Sequence, residues 1–258
     1  MLAELLAIKA VFITVWFTLF FLGERIIPAA SAPASKARLF RNGGLWALMV
    51  LFSAGVVAPL TTWGVNHALW TRPEWMTSGQ YSFSFLLLDL IVLDCWVYWL
   101  HRAYHKVPVM WRMHEVHHRD EFLDTTSAAR FHVTELALSS ALRLALIALL
   151  AIPLLHVVLF EIIVLCASVF HHSNLRLPPP VESRLSRVVV TPSIHWVHHH
   201  AVQADTNSNY ATVLSFWDKL FGSKSGTQRK MDMQIGVQGL EDIKFFRLLL
   251  HPFTRVSR

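Results

Sequence analysis

The chain has 258 residues, 54% hydrophobic and only 16% charged, with a mean hydropathy of +0.43 and a formal net charge of +6. Soluble domains carry about 25% charge, so this composition excludes an ordinary soluble domain and predicts a membrane protein. The basic residues are scattered between apolar blocks; that argues against nucleic acid as a partner and for an anionic membrane surface.

Taken in order, residues 2–22 are apolar apart from Glu4, Lys9 and two threonines, long enough to span a bilayer as a helix. The run is too long for a signal-peptide core and lacks a cleavage site, so it is expected to stay as an anchor. A loop with Arg25, Lys36, Arg38 and Arg41 follows, then a second span over 45–63 and a third over 83–100. Only Arg72 is basic between those two. The positive-inside rule then places the first loop and the end of the third span in the cytoplasm.

Residues 135–170 form another apolar stretch with Pro153 near its middle, enough for two helices of about 18 residues joined by a tight turn. Such a hairpin returns the chain to the side it left. The expected architecture is one all-α, multi-pass membrane domain of four or five spans. Its cytoplasmic cap comprises 101–134 and 171–258. Arg143 and Glu161, on opposite arms of the hairpin, are expected to pair. Cys95 and Cys166 lie in apolar runs and are read as small buried hydrophobes.

Histidines dominate the predicted cap. His101 and His105 share a helix face, and His114, His117 and His118 combine three- and four-residue spacings. His195, His198 and His199 repeat the second pattern. Neighbouring His117 and His118 diverge by about 100° on a helix, so they suit two adjacent metals better than one. Eight imidazoles exceed a four-coordinate zinc site, and imidazole also suits iron, copper and nickel. His67, His156 and His251 are read as structural, and His200 is left outside the spacing. His171 and His172 are ambiguous.

Two rival readings exist. His114-Glu115-Val116-His117-His118 satisfies the H-E-x-x-H pattern of zinc proteases, with Glu115 as general base. That reading leaves the other histidines unexplained. A membrane metal-binding or transport protein is the non-enzymatic rival, but it would place ionisable residues through the bilayer rather than outside it. Within the spans, Asp89 and Asp94 are candidate functional charges. Asp94, Asp120, Asp124, Glu135 and Asp205 are candidate acceptors for ligand N–H groups. Trp96, Tyr98, Trp99 and Trp111 read as an interfacial belt, with the lining of a substrate tunnel as the alternative.

The ordered words YWLHRAYH, WRMHEVHH, RFHVTE, FHHSNLRLP and TPSIHWVHHH, then DTNSNY and WDKLFG, resemble the fatty-acid hydroxylase and sterol desaturase superfamily over residues 90–222. The pattern is most similar to the bacterial sterol-desaturase-like branch, which also resembles alkylglycerol monooxygenase. The resemblance implies an O2-dependent di-iron enzyme that hydroxylates or desaturates a lipid C–H bond. Its substrate would be an acyl chain, sterol, carotenoid or ether lipid. It implies two iron ions on His101, His105, His114, His117, His118, His195, His198 and His199, with His172 as a further ligand. His132, Asp94 and Asn174 are candidate ligands or ligand partners. Some members carry a histidine at the place of Ser168, and a glycine at the place of Ala211. Electrons would come from an external reductase, ferredoxin or cytochrome. The membrane would be the bacterial inner membrane, or the endoplasmic reticulum in a eukaryote. WDKLFG is expected to pack the cap, and Glu115 to matter least.

Overall fold

The computed structural model describes residues 2–254; the last four residues of the expected cap, 255–258, lie outside the described residues. No strand forms among the described residues, and the helices account for the architecture. Five of them are long and apolar enough to cross a membrane. The chain is a multi-pass helical bundle.

α1 (Leu2–Ile26) presents Ile8, Val11, Val15, Leu19 and Leu22 outward, the stripe expected of a lipid-facing helix. Its other side packs along the hairpin, where the Trp16 indole donates to the Cys166 carbonyl at 3.0 Å. α2 (Lys36–Phe52) starts where Ser35 accepts the Arg38 amide, a serine N-cap. It continues through a π-helical turn (Ser53–Val57) into α3 (Ala58–Asn66) as one 31-residue rod. Gly64 lets α3 approach the first arm of the hairpin closely: a Cβ there would meet the Leu144 side chain at 2.0 Å. The short α4 (Glu74–Thr77) leads into α5 (Ser82–Lys106). Pro108 ends α5, because the residue before a proline is driven from helical geometry, and then occupies the first turn of α6 (Pro108–His118).

The predicted hairpin is α7 (Val133–Leu150) and α8 (Leu154–His172), 18 and 19 residues joined by three. Each arm is roughly 27–28 Å long, close to the hydrocarbon thickness of about 30 Å. Ala151 closes α7 in the left-handed conformation (φ 50°), and Pro153 caps α8. Arg143 and Glu161 pair across the arms at 2.7 Å as expected, and Lys9 of α1 joins Glu161 as a partner that sequence spacing does not reveal. At the hairpin tip, Arg72 makes a two-pronged bond to Asp89 (2.8 Å each) and covers the Leu150 carbonyl, while His156 meets Asp89 at 2.7 Å. Asp89 is thereby fully engaged in holding this end of the bundle.

Short helices build the cap: α9 (Pro179–Leu185), α10 (Pro192–His198), α11 (Gln203–Thr206), α12 (Phe216–Leu220) and α13 (Phe245–Leu250). The loop between α1 and α2 lies at this same end. Its Ala29 amide donates to the Asn174 carbonyl (2.8 Å), and Arg38 bonds Asp120 and Asp124 at 2.6–2.7 Å. Arg41 and Arg130 both meet Asp242. Buried ion pairs of this kind are costly to break singly, so the network fixes the cap to the first two spans.

Candidate metal centre

Nine imidazoles meet where the cap joins the bundle, and they divide into two groups. His101, His105, His114, His118 and His198 form one; His117, His172, His195 and His199 form the other. Within each group one nitrogen per residue lies within 4.8 Å of all the others. His101 and His105 lie near the C-terminal end of α5, and His172 is the last residue of α8. α6 contributes to both groups through neighbouring His117 and His118, because one residue of helical advance turns the side chain by about 100°. His198 and His199 at the end of α10 divide in the same way, and the rings of His118 and His199 stack at 4.2 Å across the two groups.

The tautomers follow from hydrogen bonds on the outer side. The Nδ1 atoms of His101, His117, His172 and His198 donate to the main-chain carbonyls of Tyr210 (2.7 Å), Arg130 (3.2 Å), Ser168 (2.8 Å) and Ser208 (2.6 Å). His114 Nδ1 meets the Glu135 carboxylate at 2.7 Å, a side chain buried with it. A carbonyl only accepts, so each partner fixes the proton on Nδ1 and leaves a lone pair on Nε2. Yet His101 Nε2 faces His114 Nε2 at 3.1 Å, and His117 Nε2 faces His172 Nε2 at 3.1 Å. His195 Nε2 continues the second group at 3.0 Å from His172 and 3.1 Å from His199.

Lone pairs aimed at each other across this distance repel unless a cation lies between them. Protonating one member would relieve that repulsion, but burial opposes it. It holds His117, His118, His195 and His199 well below the usual imidazole range and takes His198 down to about 3. Imidazole nitrogens roughly 2.1 Å from an ion sit roughly 3 Å apart when they bind at right angles. Among the described residues, His105 and His118 are buried with no hydrogen-bond partner on either ring nitrogen. The donor set fits two transition-metal ions of imidazole preference.

The remaining candidates lie elsewhere. His132 caps α7: its Nδ1 accepts the Thr134 amide (3.2 Å), which leaves Nε2 to donate to the Leu249 carbonyl at 3.0 Å. Neither nitrogen is free for a metal. Asn174 clasps Ala30 through both side-chain atoms. Asp94 accepts the Leu214 amide and the Trp217 indole at 3.1 and 2.7 Å, anchoring the WDKLFG segment. Asp218 of that segment accepts the amides of Tyr210 and Ala211, so the segment also seats the carbonyl that orients His101. The left-handed residue there is Asn209 (φ 51°), while Ala211 is not among the positive-φ residues. The chain therefore needs no glycine at 211.

Of the candidate acceptors, only Glu135 holds one of the nine imidazoles. Asp120 and Asp124 serve Arg38, and Asp205 serves His200. His67 bonds the Trp63 carbonyl, and His251 lies 3.3 Å from the Glu115 carboxylate; neither belongs to the two groups. His171 packs 4.0 Å from His195 by ring centre but belongs to neither group. The aromatic belt needs correcting. Trp99 is exposed, but Tyr98 is fully buried, and Trp111 packs 5.0 Å from His105 and 5.4 Å from His118. The four carbonyl acceptors had no signature in the sequence, since every residue carries a carbonyl.

A family profile described as fatty acid hydroxylase matches residues 86–223. The chain belongs to this family. Among curated relatives, an ornithine lipid hydroxylase of Rhizobium tropici is 29% identical over 74% of this chain and 56% of its own length. Alkylglycerol monooxygenase is 32% identical in Danio rerio, over 68% of this chain and 36% of the relative. The rat cholesterol 25-hydroxylase is 27% identical over 54% of this chain and 46% of its own. The alignments thus span about a third to a little over half of these hydroxylases. No solved structure matches the chain.

Proposed function

We propose that the chain is a di-iron, O2-dependent oxidoreductase that hydroxylates or desaturates a C–H bond of a membrane lipid. The observation that carries this reading is the pair of Nε2 atoms that face each other at 3.1 Å in each histidine group. Relatives named ornithine lipid hydroxylase, alkylglycerol monooxygenase and cholesterol 25-hydroxylase support a lipid substrate. His101, His105, His114, His118 and His198 would hold one iron, and His117, His172, His195 and His199 the other. Bound there with O2 and reductant, the irons supply the oxidising power that breaks an unactivated C–H bond. The protein holds the imidazoles neutral and oriented, and its packed cap keeps water from the centre. The electrons would come from an external reductase, ferredoxin or cytochrome. The cap and the α1–α2 loop would face the cytoplasm, following the charge of Arg25, Lys36, Arg38 and Arg41.

The zinc-protease alternative is disfavoured by one specific contact. Glu115 is clamped by Arg119 (2.7 Å) and His251 (3.3 Å), which hold its carboxyl below the usual range. It is not poised to take a proton from water. The deciding experiment is metal and O2 analysis of the purified full chain. About two irons per chain and O2 uptake stimulated by lipid and reductant are expected. A single tightly held zinc with no response to reductant would sink the proposal.

A further inference from the structure

The C-terminal segment carries a surface that the metal centre does not explain. In α13, Leu248 is fully buried against Leu45 of α2 and Val116 of α6, and the next turn buries His251. On the side away from Leu248, Phe246 (76% exposed), Leu250 (59%) and Phe253 (69%) are bare, with exposed Lys244 and Arg247 beside them. A water-facing side of a short helix normally carries polar residues, and a helix apolar on both sides is covered on both.

The position of α13 along α2 identifies the cover. Phe245 packs on Phe40 (ring centres 5.9 Å apart), and a Cβ on Gly44 would touch its ring at 2.7 Å. The apolar run of α2 begins at Leu45, so Phe40 lies roughly 7–8 Å before it along the axis. The polar layer of a bilayer is roughly 5–7 Å deep on each side. α13 therefore sits at the level of that layer, and its bare face continues the exposed side of Phe40 (68%).

We propose that residues 244–253 form an interfacial anchor. Phe246, Leu250 and Phe253 enter the boundary of the acyl chains, and Lys244 and Arg247 meet anionic headgroups. The anchor is tied to the metal-bearing part of the cap. Leu248 packs on Val116 between His114 and His117, the Leu249 carbonyl accepts from His132, and His251 pairs with Glu115. Its insertion thus fixes the height of α6 above the bilayer. The inference rests on the membrane reading of the spans and is independent of the metal.

The test uses the full chain with Cys95→Ala, Cys166→Ala and Phe246→Cys, carrying a nitroxide, in vesicles of phosphatidylcholine and phosphatidylglycerol. Spin relaxation by O2 should exceed relaxation by a water-soluble nickel chelate. The reverse order is expected for a label at Met231→Cys, an exposed residue of the charged loop. Identical ranking at the two positions would overturn the anchor. So would spin–spin broadening at 246 that vanishes on dilution with unlabelled chain, since a second copy would then be the cover. A triple variant, F246S/L250S/F253S, keeps Leu248, the residue that packs on Leu45 and Val116. Its α13 amides should exchange at least about tenfold faster in vesicles, and unchanged exchange would count against insertion.

Discussion

The two histidine groups differ in how they are held, and the difference separates geometry from charge. In the four-membered group the oriented rings, His117 and His172, donate to the main-chain carbonyls of Arg130 and Ser168. In the five-membered group His101 and His198 are held likewise, but His114 leans on the Glu135 carboxylate. A main-chain acceptor fixes a ring without adding charge. A buried carboxylate also makes its imidazole a stronger donor to a bound cation. The five-membered position is therefore the more electron-rich of the two.

Removing a ring tests both groups most severely. His114→Ala and His199→Ala should each lower bound iron from about two towards one per chain and cut turnover at least a hundredfold, roughly the barrier change of one lost metal interaction. Metal analysis beside a turnover assay reads both. Retention of two irons in either variant would remove that residue from the ligand set.

Glu135 should come next. Glu135→Gln keeps an acceptor for His114 but removes the charge, and a 10- to 100-fold loss of affinity or activity is typical of such partners, roughly. Its reduction potential should rise at one iron only, a shift that titration followed by Mössbauer spectroscopy resolves. Equal shifts at both irons would contradict the asymmetry.

Acid should then unfold the metal-free chain more readily. His198 falls from the usual 6.5 to about 3 on folding, and His117, His118, His195 and His199 are also depressed. A base whose folded pKa is lowered binds its proton preferentially in the unfolded chain. Stability is therefore full above the unfolded value and is lost as pH falls from 6.5 towards 3. Thermal melts of the metal-free protein across that window should show a steep decline that bound iron opposes. A flat profile would mean that the rings are already protonated in the fold.

The smallest effect belongs to Ser168→Ala. It removes the side-chain bond to the Ala128 carbonyl (3.1 Å), worth about 1 kcal/mol, and the longer hydroxyl contact to His172 Nδ1 (3.3 Å), but leaves the Ser168 carbonyl in place for His172 at 2.8 Å. Iron content should stay at wild-type level. A loss comparable to that of Glu135→Gln would show that main-chain and side-chain acceptors are not different in kind.

Much of this was legible before any coordinates. Four or five spans, the hairpin and its Arg143–Glu161 pair follow from lengths of apolar runs, a proline and two stranded charges, and the structure has five. The division of His117 from His118 follows from helical rotation alone. His132 misled because R-x-H looks like metal chemistry, whereas a histidine preceding a helix can serve equally as its N-cap. Tyr98 and Trp111 misled because an aromatic residue near a span end suits both a belt and a packed cap.

Local periodicity determines which residues can face together, and so the sequence by itself set the spans, the shared side of the histidines and the family words. Tertiary structure alone decided which histidine joins which group, which carbonyl or carboxylate holds each ring, and that α13 ends with a bare apolar face. Those outcomes depend on how separate helices pack, and main-chain carbonyls and packing distances have no residue code.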